Sequence, residues 1–109
     1  MKKVEFYKAM KENGHTYFQK AKGYEQEYEN SRGEKFTICF EHQNGYWRLT
    51  EKSTGIGIGW GNTTRKLAEE DFVNQHLEKL TYETLERCND LRKELAEHIK
   101  NQEDKNDSY

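Results

Sequence analysis

The stretch from Lys35 to Lys52 constrains this chain more than any other. Phe36, Ile38 and Phe40 alternate with Thr37, Cys39 and Glu41, Asn44-Gly45 follows, and Tyr46 to Lys52 resumes with Trp47 and Leu49 on one side. Alternation of period two puts one set of side chains on each face of a strand, and Asn-Gly supplies the positive-φ pair that a tight hairpin turn needs. The segment reads as a β-hairpin with one apolar face. Thr54-Gly55 then turns the chain into Ile56-Gly57-Ile58-Gly59-Trp60-Gly61, whose large residues share one face and whose glycines share the other. Upstream, Tyr24 to Glu29 alternates into the turn Asn30-Ser31-Arg32-Gly33. The expectation is an antiparallel meander of three or four strands over residues 24–61. Phe36, Ile38, Phe40, Trp47, Leu49, Ile56, Ile58 and Trp60 would face a helical layer. Thr37, Cys39, Glu41, Tyr46, Arg48, Thr50 and Lys52 would form the solvated side.

Helical spacing flanks this region. Val4, Tyr7 and Met10 recur at intervals of three with Gly14 just beyond, which predicts an N-terminal helix over residues 2–13. After the polar cap Asn62-Thr63-Thr64, Leu67, Val73, Leu77 and Leu80 open a helical pattern. Leu77, Leu80, Leu85, Cys88, Leu91, Leu95 and Ile99 then fall within an arc of about 140°. One long helix, or two broken near Thr81, fits that pattern. Residues 101–109 carry no apolar pattern and read as a disordered tail. The fold class expected is therefore α+β: one domain over residues 1–100, with an N-terminal helix, the meander, and one or two C-terminal helices packed on it.

Composition agrees with a small folded core. Leu, Ile, Val and Phe total 18 of 109 residues, which is sparse, but 14 aromatic residues and a net charge of only −2 separate the chain from the disordered class. No apolar run reaches the roughly 18 residues a spanning helix requires, so no membrane is expected as a partner. Met1-Lys2-Lys3 leads into Val4-Glu5-Phe6 instead of an apolar signal core, and Cys39 and Cys88 stand in no C-x-x-C arrangement. A cytoplasmic protein with reduced thiols follows as the expectation. His15, His42, His76 and His98 are scattered, with no metal spacing and no nucleophile motif. Neither a catalytic residue, a metal nor a cofactor is expected. The glycines 55, 57, 59 and 61 match no phosphate loop, and their alternation suggests a strand approached closely by a helix or a partner.

Charge divides unevenly. Residues 1–66 hold 12 Lys and Arg against 8 Glu, and residues 67–109 hold 6 against 12 acidic residues, so a chain of net charge −2 has a basic first part and an acidic second part. Glu83, Glu86, Asp90, Glu94 and Glu97 fall within about 80° on a helix, where like charges at three- and four-residue spacing repel. Such a face suits a larger partner protein with a basic groove, of the kind that normally holds nucleic acid. A second candidate surface is cationic and aromatic: Tyr46, Arg48, Lys52, Arg65 and Lys66, able to stack on and neutralise nucleic acid. A third is the stripe Leu85, Cys88, Leu91, Leu95 and Ile99, which could seam a homodimer.

Two resemblances extend these readings. Arg65-Lys66-Leu67-Ala68 matches four positions of the K-K-x-A-K pattern that opens the second helix of the double-stranded-RNA-binding domain, with Glu69 at the fifth. Leu77 and Leu80 match that family's later apolar spacing. The resemblance covers residues 65–80 and implies a helix, three strands and a helix that bind RNA. The composition, rich in Lys, Glu, Asn and Tyr and without Pro, also resembles that of small accessory proteins of phages and mobile elements, including anti-CRISPR inhibitors. That resemblance implies stoichiometric binding to a larger nucleic-acid-handling protein. The leading functional expectation is a non-enzymatic interaction module or inhibitor using the acidic face; the alternative is a nucleic-acid-binding module.

Overall fold

The computed structural model describes the backbone of residues 1–107 and the side chains of residues 1–103. Five antiparallel strands come first, β1 (Lys2–Glu12), β2 (His15–Glu29), β3 (Lys35–Gln43), β4 (Tyr46–Glu51) and β5 (Gly57–Asn62), and they pair in sequence order. The N-terminal helix expected from Val4, Tyr7 and Met10 is not formed; that segment is β1. Its pairing with β2 runs from Lys2↔Glu25 to Glu12↔His15 around Asn13-Gly14, both at positive φ (51° and 79°). Asn13-Gly14 is thus a hairpin turn of the same kind as Asn44-Gly45 (53° and 84°), not a helix stop. In a strand Val4 and Met10 share a face and Tyr7 takes the other, so a three-residue interval carries no helical meaning here.

The sheet coils strongly. Only Tyr24–Glu29 of β2 pair with β3, and beyond them β2 bends away with β1. The bend falls at Gly23, where a Cβ would stand 2.1 Å from the Phe40 carbonyl oxygen. Coiling carries β1 across to the β4–β5 connection, where the Ala9 amide donates to the Gly55 carbonyl at 2.8 Å. Gly55 has φ 78°, and a Cβ there would lie 2.9 Å from Ala9 N, so glycine serves both the turn and the contact.

Each face consequently carries a buried cluster. The outer face contributes Phe36, Ile38, Phe40 and Leu49 to a core completed by Ala68, Phe72, Leu77 and Leu85, with Tyr28, Trp47, Ile58 and Leu80 packed around it. The inner face, expected to be solvated, holds a second core of Phe6, Ala21 and Cys39 bordered by Val4. Cys39 and Thr50 are each 0% exposed there. Lys8 and Glu41 pair across the same face at 3.1 Å.

Past β5, Thr64 caps α1 (Arg65–Asp71), its side chain accepting from the Leu67 amide. One π-helical turn (Phe72–His76) and a short 3₁₀ turn (Leu77–Lys79) follow. The chain breaks at Thr81, as the pattern allowed. Thr81 and Thr84 exchange reciprocal side-chain-to-amide hydrogen bonds (3.1 and 2.9 Å) that open α2 (Tyr82–Glu86). A further break at Arg87-Cys88 precedes α3 (Asn89–Asp107). Most of the segment read as a tail is therefore helical, and residues 108 and 109 lie outside the described residues.

The helical layer is fastened to the β2–β3 turn. Asn30 Nδ2 donates to the Leu80 carbonyl (2.9 Å), and Glu34 accepts from the Tyr82 amide (3.0 Å). Hydrogen bonds from Asn30 and then from the Tyr82 amide hold the Glu34 carboxyl below its ordinary range. The Tyr28 hydroxyl donates to Glu69 of α1, and burial together with that carboxylate raises the phenol's pKa. Among the described residues no helix is long and apolar enough to cross a membrane.

Candidate functional site

The groups with chemical potential are dispersed. His42 packs against Trp47 with ring centroids 5.2 Å apart, His76 lies 3.7 Å from Asp71, and His98 sits against Tyr7 and Phe18. His15 is exposed where β2 begins. Each of the first three thus has a packing or ion-pair neighbour of its own, and among the described residues no three metal-ligating side chains converge.

Both cysteines are free, in different settings. Cys39 is sealed in the inner core, where burial pushes its thiol up to about 12. Cys88 is half-buried beside Ile56, Ile58, Leu80 and Leu85. Thiolate is the reactive form, so iodoacetamide at pH 8 should label Cys88 and leave Cys39 untouched until the protein unfolds. Mass spectrometry of the labelled native protein checks this; native labelling of Cys39 would mean that the inner core is open.

The five cationic and aromatic candidates do not assemble into one surface. Lys52 is neutralised by Glu25 at 2.6 Å. Arg65 lies over the Tyr24 ring, 5.0 Å from its centroid, on the helical side, and Lys66 is exposed next to it on α1. Tyr46 and Arg48 stand two residues apart on β4 and share the inner side. The helix–three strands–helix order implied by the RNA-binding resemblance is also not the order found, since two further strands replace the first helix.

Trp60, assigned by alternation to the helical side, joins Tyr46 and Arg48 instead. Pairing of β4 with β5 runs Trp47↔Asn62, Arg48↔Trp60, Leu49↔Gly59, Thr50↔Gly57, with two register shifts. Gly61 (φ 115°) and Ile58 are the extra residues, and each bulge resets which side the next residue takes. Ile58 still reaches the outer core, whereas Trp60 ends up opposite Arg48, 64% exposed, with its ring centroid 5.4 Å from that of Tyr46. Gln43, Asn44, Arg48, Gly57, Gly59 and Trp60 line a concavity of about 520 Å³. The one legible sign was the glycine alternation, which marks close approach but not which way Trp60 turns.

The acidic candidates Glu83, Glu86, Asp90, Glu94 and Glu97 are all exposed, and none pairs with a cation among the described residues. The break at Arg87-Cys88 divides them, two on α2 and three on α3, so they do not form one continuous helical stripe. The candidate dimer seam is partly consumed within the monomer: Leu85 and Leu95 are buried, Cys88 and Leu91 are half-buried, and Ile99 is exposed. Comparison of the chain with models of protein families, with curated proteins and with solved structures gives no match.

Proposed function

We propose that this chain is a non-enzymatic interaction module that offers the carboxylates of α2 and α3 to a basic groove on a larger nucleic-acid-handling protein. It would act as a stoichiometric inhibitor, in the manner of the small proteins of phages and mobile elements that its composition resembles. A contrast in how carboxylates are used carries this reading. On the strands four of the seven glutamates, Glu5, Glu25, Glu27 and Glu41, pair with a lysine, while Glu83, Glu86, Asp90, Glu94 and Glu97 pair with none among the described residues. Asp90, Glu94 and Glu97 moreover repel one another along α3, at about a few tenths of a kcal/mol per contact. A cationic partner surface would relieve that repulsion and be steered toward it.

Reversing Glu86, Asp90 and Glu94 to Lys together tests the reading. The melting temperature should stay within a few degrees of wild type, because exposed charges contribute little to stability. Partners captured by the immobilised wild-type protein, and released by about 0.5 M salt as screening requires, should be lost from the variant. Retention of the same partners by the triple variant would overturn the assignment.

A further inference from the structure

We propose that the concavity between the β3–β4 turn and β5 binds single-stranded nucleic acid, with one base stacked on Trp60 beside Tyr46 and the adjoining phosphate on the Arg48 guanidinium. This site is independent of the acidic surface of α2 and α3.

Two aromatic rings stand open at the edge of this concavity. A large aromatic side chain gains by burial, yet the bulge at Ile58 turns Trp60 out of the core and leaves it the most exposed large apolar residue of the described chain. Its ring is tilted 48° from that of Tyr46, itself 41% exposed, so the pair is open rather than closed into a stack. Sequence-tolerant binding of single strands relies on such open aromatic faces, since every base has a π-face.

Arg48 is the cation of this site, and it lacks an ion pair among the described residues. Its cross-strand neighbour is Glu41, but Glu41 is taken by Lys8 at 3.1 Å, and Arg48 has no carboxylate within 4.0 Å among the described residues. Its hydrogen-bond partner is Met10 Sδ at 3.9 Å, a weak acceptor for a group with five donors. A half-buried guanidinium left in that condition is suited to a phosphate, which it can meet with two parallel hydrogen bonds.

The floor completes the site. A Cβ on Gly57 would approach Arg48 Nη2 to 3.3 Å, so the guanidinium lies close against β5 at a position that carries no side chain. Gly59 also lines the concavity, with its absent side chain on the Leu49 side. The remaining lining residues, Gln43 and Asn44, carry carboxamides able to pair with base edges, and no carboxylate lines the concavity. The volume, about 520 Å³, falls within the range of small-ligand sites. Acid-free lining, open rings and an unpaired guanidinium together favour a phosphate-bearing planar ligand over a peptide.

Fluorescence anisotropy of labelled twelve-nucleotide single strands, titrated with the full chain at about 50 and 200 mM salt, tests this. Micromolar binding is expected, with quenching of tryptophan emission. Trp60→Ala should weaken it about tenfold or more, the effect of losing one stacked base. Arg48→Gln should weaken it and reduce the salt slope by about one ion. The triple charge reversal on α2 and α3 should leave this affinity no weaker, which separates failure here from failure of the acidic-surface reading. Circular dichroism establishes that each variant is folded. Absence of binding at the lower salt would overturn the proposal, as would wild-type affinity in Trp60→Ala. So would equal affinity for duplex, tight binding of a free mononucleotide, or equal competition by an acidic peptide.

Discussion

Gly23→Ala should destabilise the protein by about 3 kcal/mol or more, the upper end of what inserting one carbon into a packed interior costs. Its Cβ would be built 2.1 Å from the Phe40 carbonyl oxygen and 3.0 Å from the carbonyl carbon, so the obstacle is strand backbone that no rotamer change can move. Relief requires β2 to lift from β3 where the sheet coils, which separates Phe6 and Ala21 from Cys39 and strains the Ala9–Gly55 hydrogen bond. Gly14→Ala is the control. Gly14 has φ 79° with nothing within 4 Å of a would-be Cβ, so alanine there meets only the left-handed backbone penalty, about 1–2 kcal/mol. Urea unfolding of both variants separates steric from conformational cost. A Gly23→Ala midpoint no lower than that of Gly14→Ala would mean that the strand does not bend against Phe40 as described.

The same glycines show how far the fold was legible. Asn44-Gly45 between two alternating runs predicts its hairpin correctly because both the turn and the runs point the same way. Asn13-Gly14 is the same dipeptide, but the run before it mixes Val4, Phe6 and Met10 with Lys8, and a lysine on an apolar face hides the alternation. Lys8 is accepted there because Glu41, 33 residues away in sequence, meets it. No local pattern carries that information. The break at Thr81 is announced by its capping residues, whereas the break at Arg87-Cys88 interrupts an apolar arc that continues through it. The two bulges beside Trp60 are likewise silent: glycine alternation shows where a backbone lies bare, but a single inserted residue reverses every side-chain direction after it. The residues of the aromatic site were therefore visible singly, and their juxtaposition was not.

The buried Lys8–Glu41 pair yields the other large expected effect. Their side chains are 4% and 13% exposed, with Lys8 Nζ 3.1 and 3.3 Å from the two carboxylate oxygens. Lys8→Met preserves length and apolar contact but strands a carboxylate on the inner face, at a cost of about 3–5 kcal/mol. Lys8→Met with Glu41→Leu removes both charges together, and should recover most of that loss, because desolvation of the two ions had offset much of their attraction. Arg48 stands opposite Glu41 across the β3–β4 ladder and is the cation positioned to replace Lys8 in the single variant. Adding Arg48→Gln to Lys8→Met should therefore deepen the loss, whereas adding it to the double apolar variant should not. Thermal and urea unfolding of the four proteins measures this coupling. If Lys8→Met proves harmless both by itself and combined with Arg48→Gln, the inner face is solvated, and the second core cannot be what holds β1 against the β4–β5 connection.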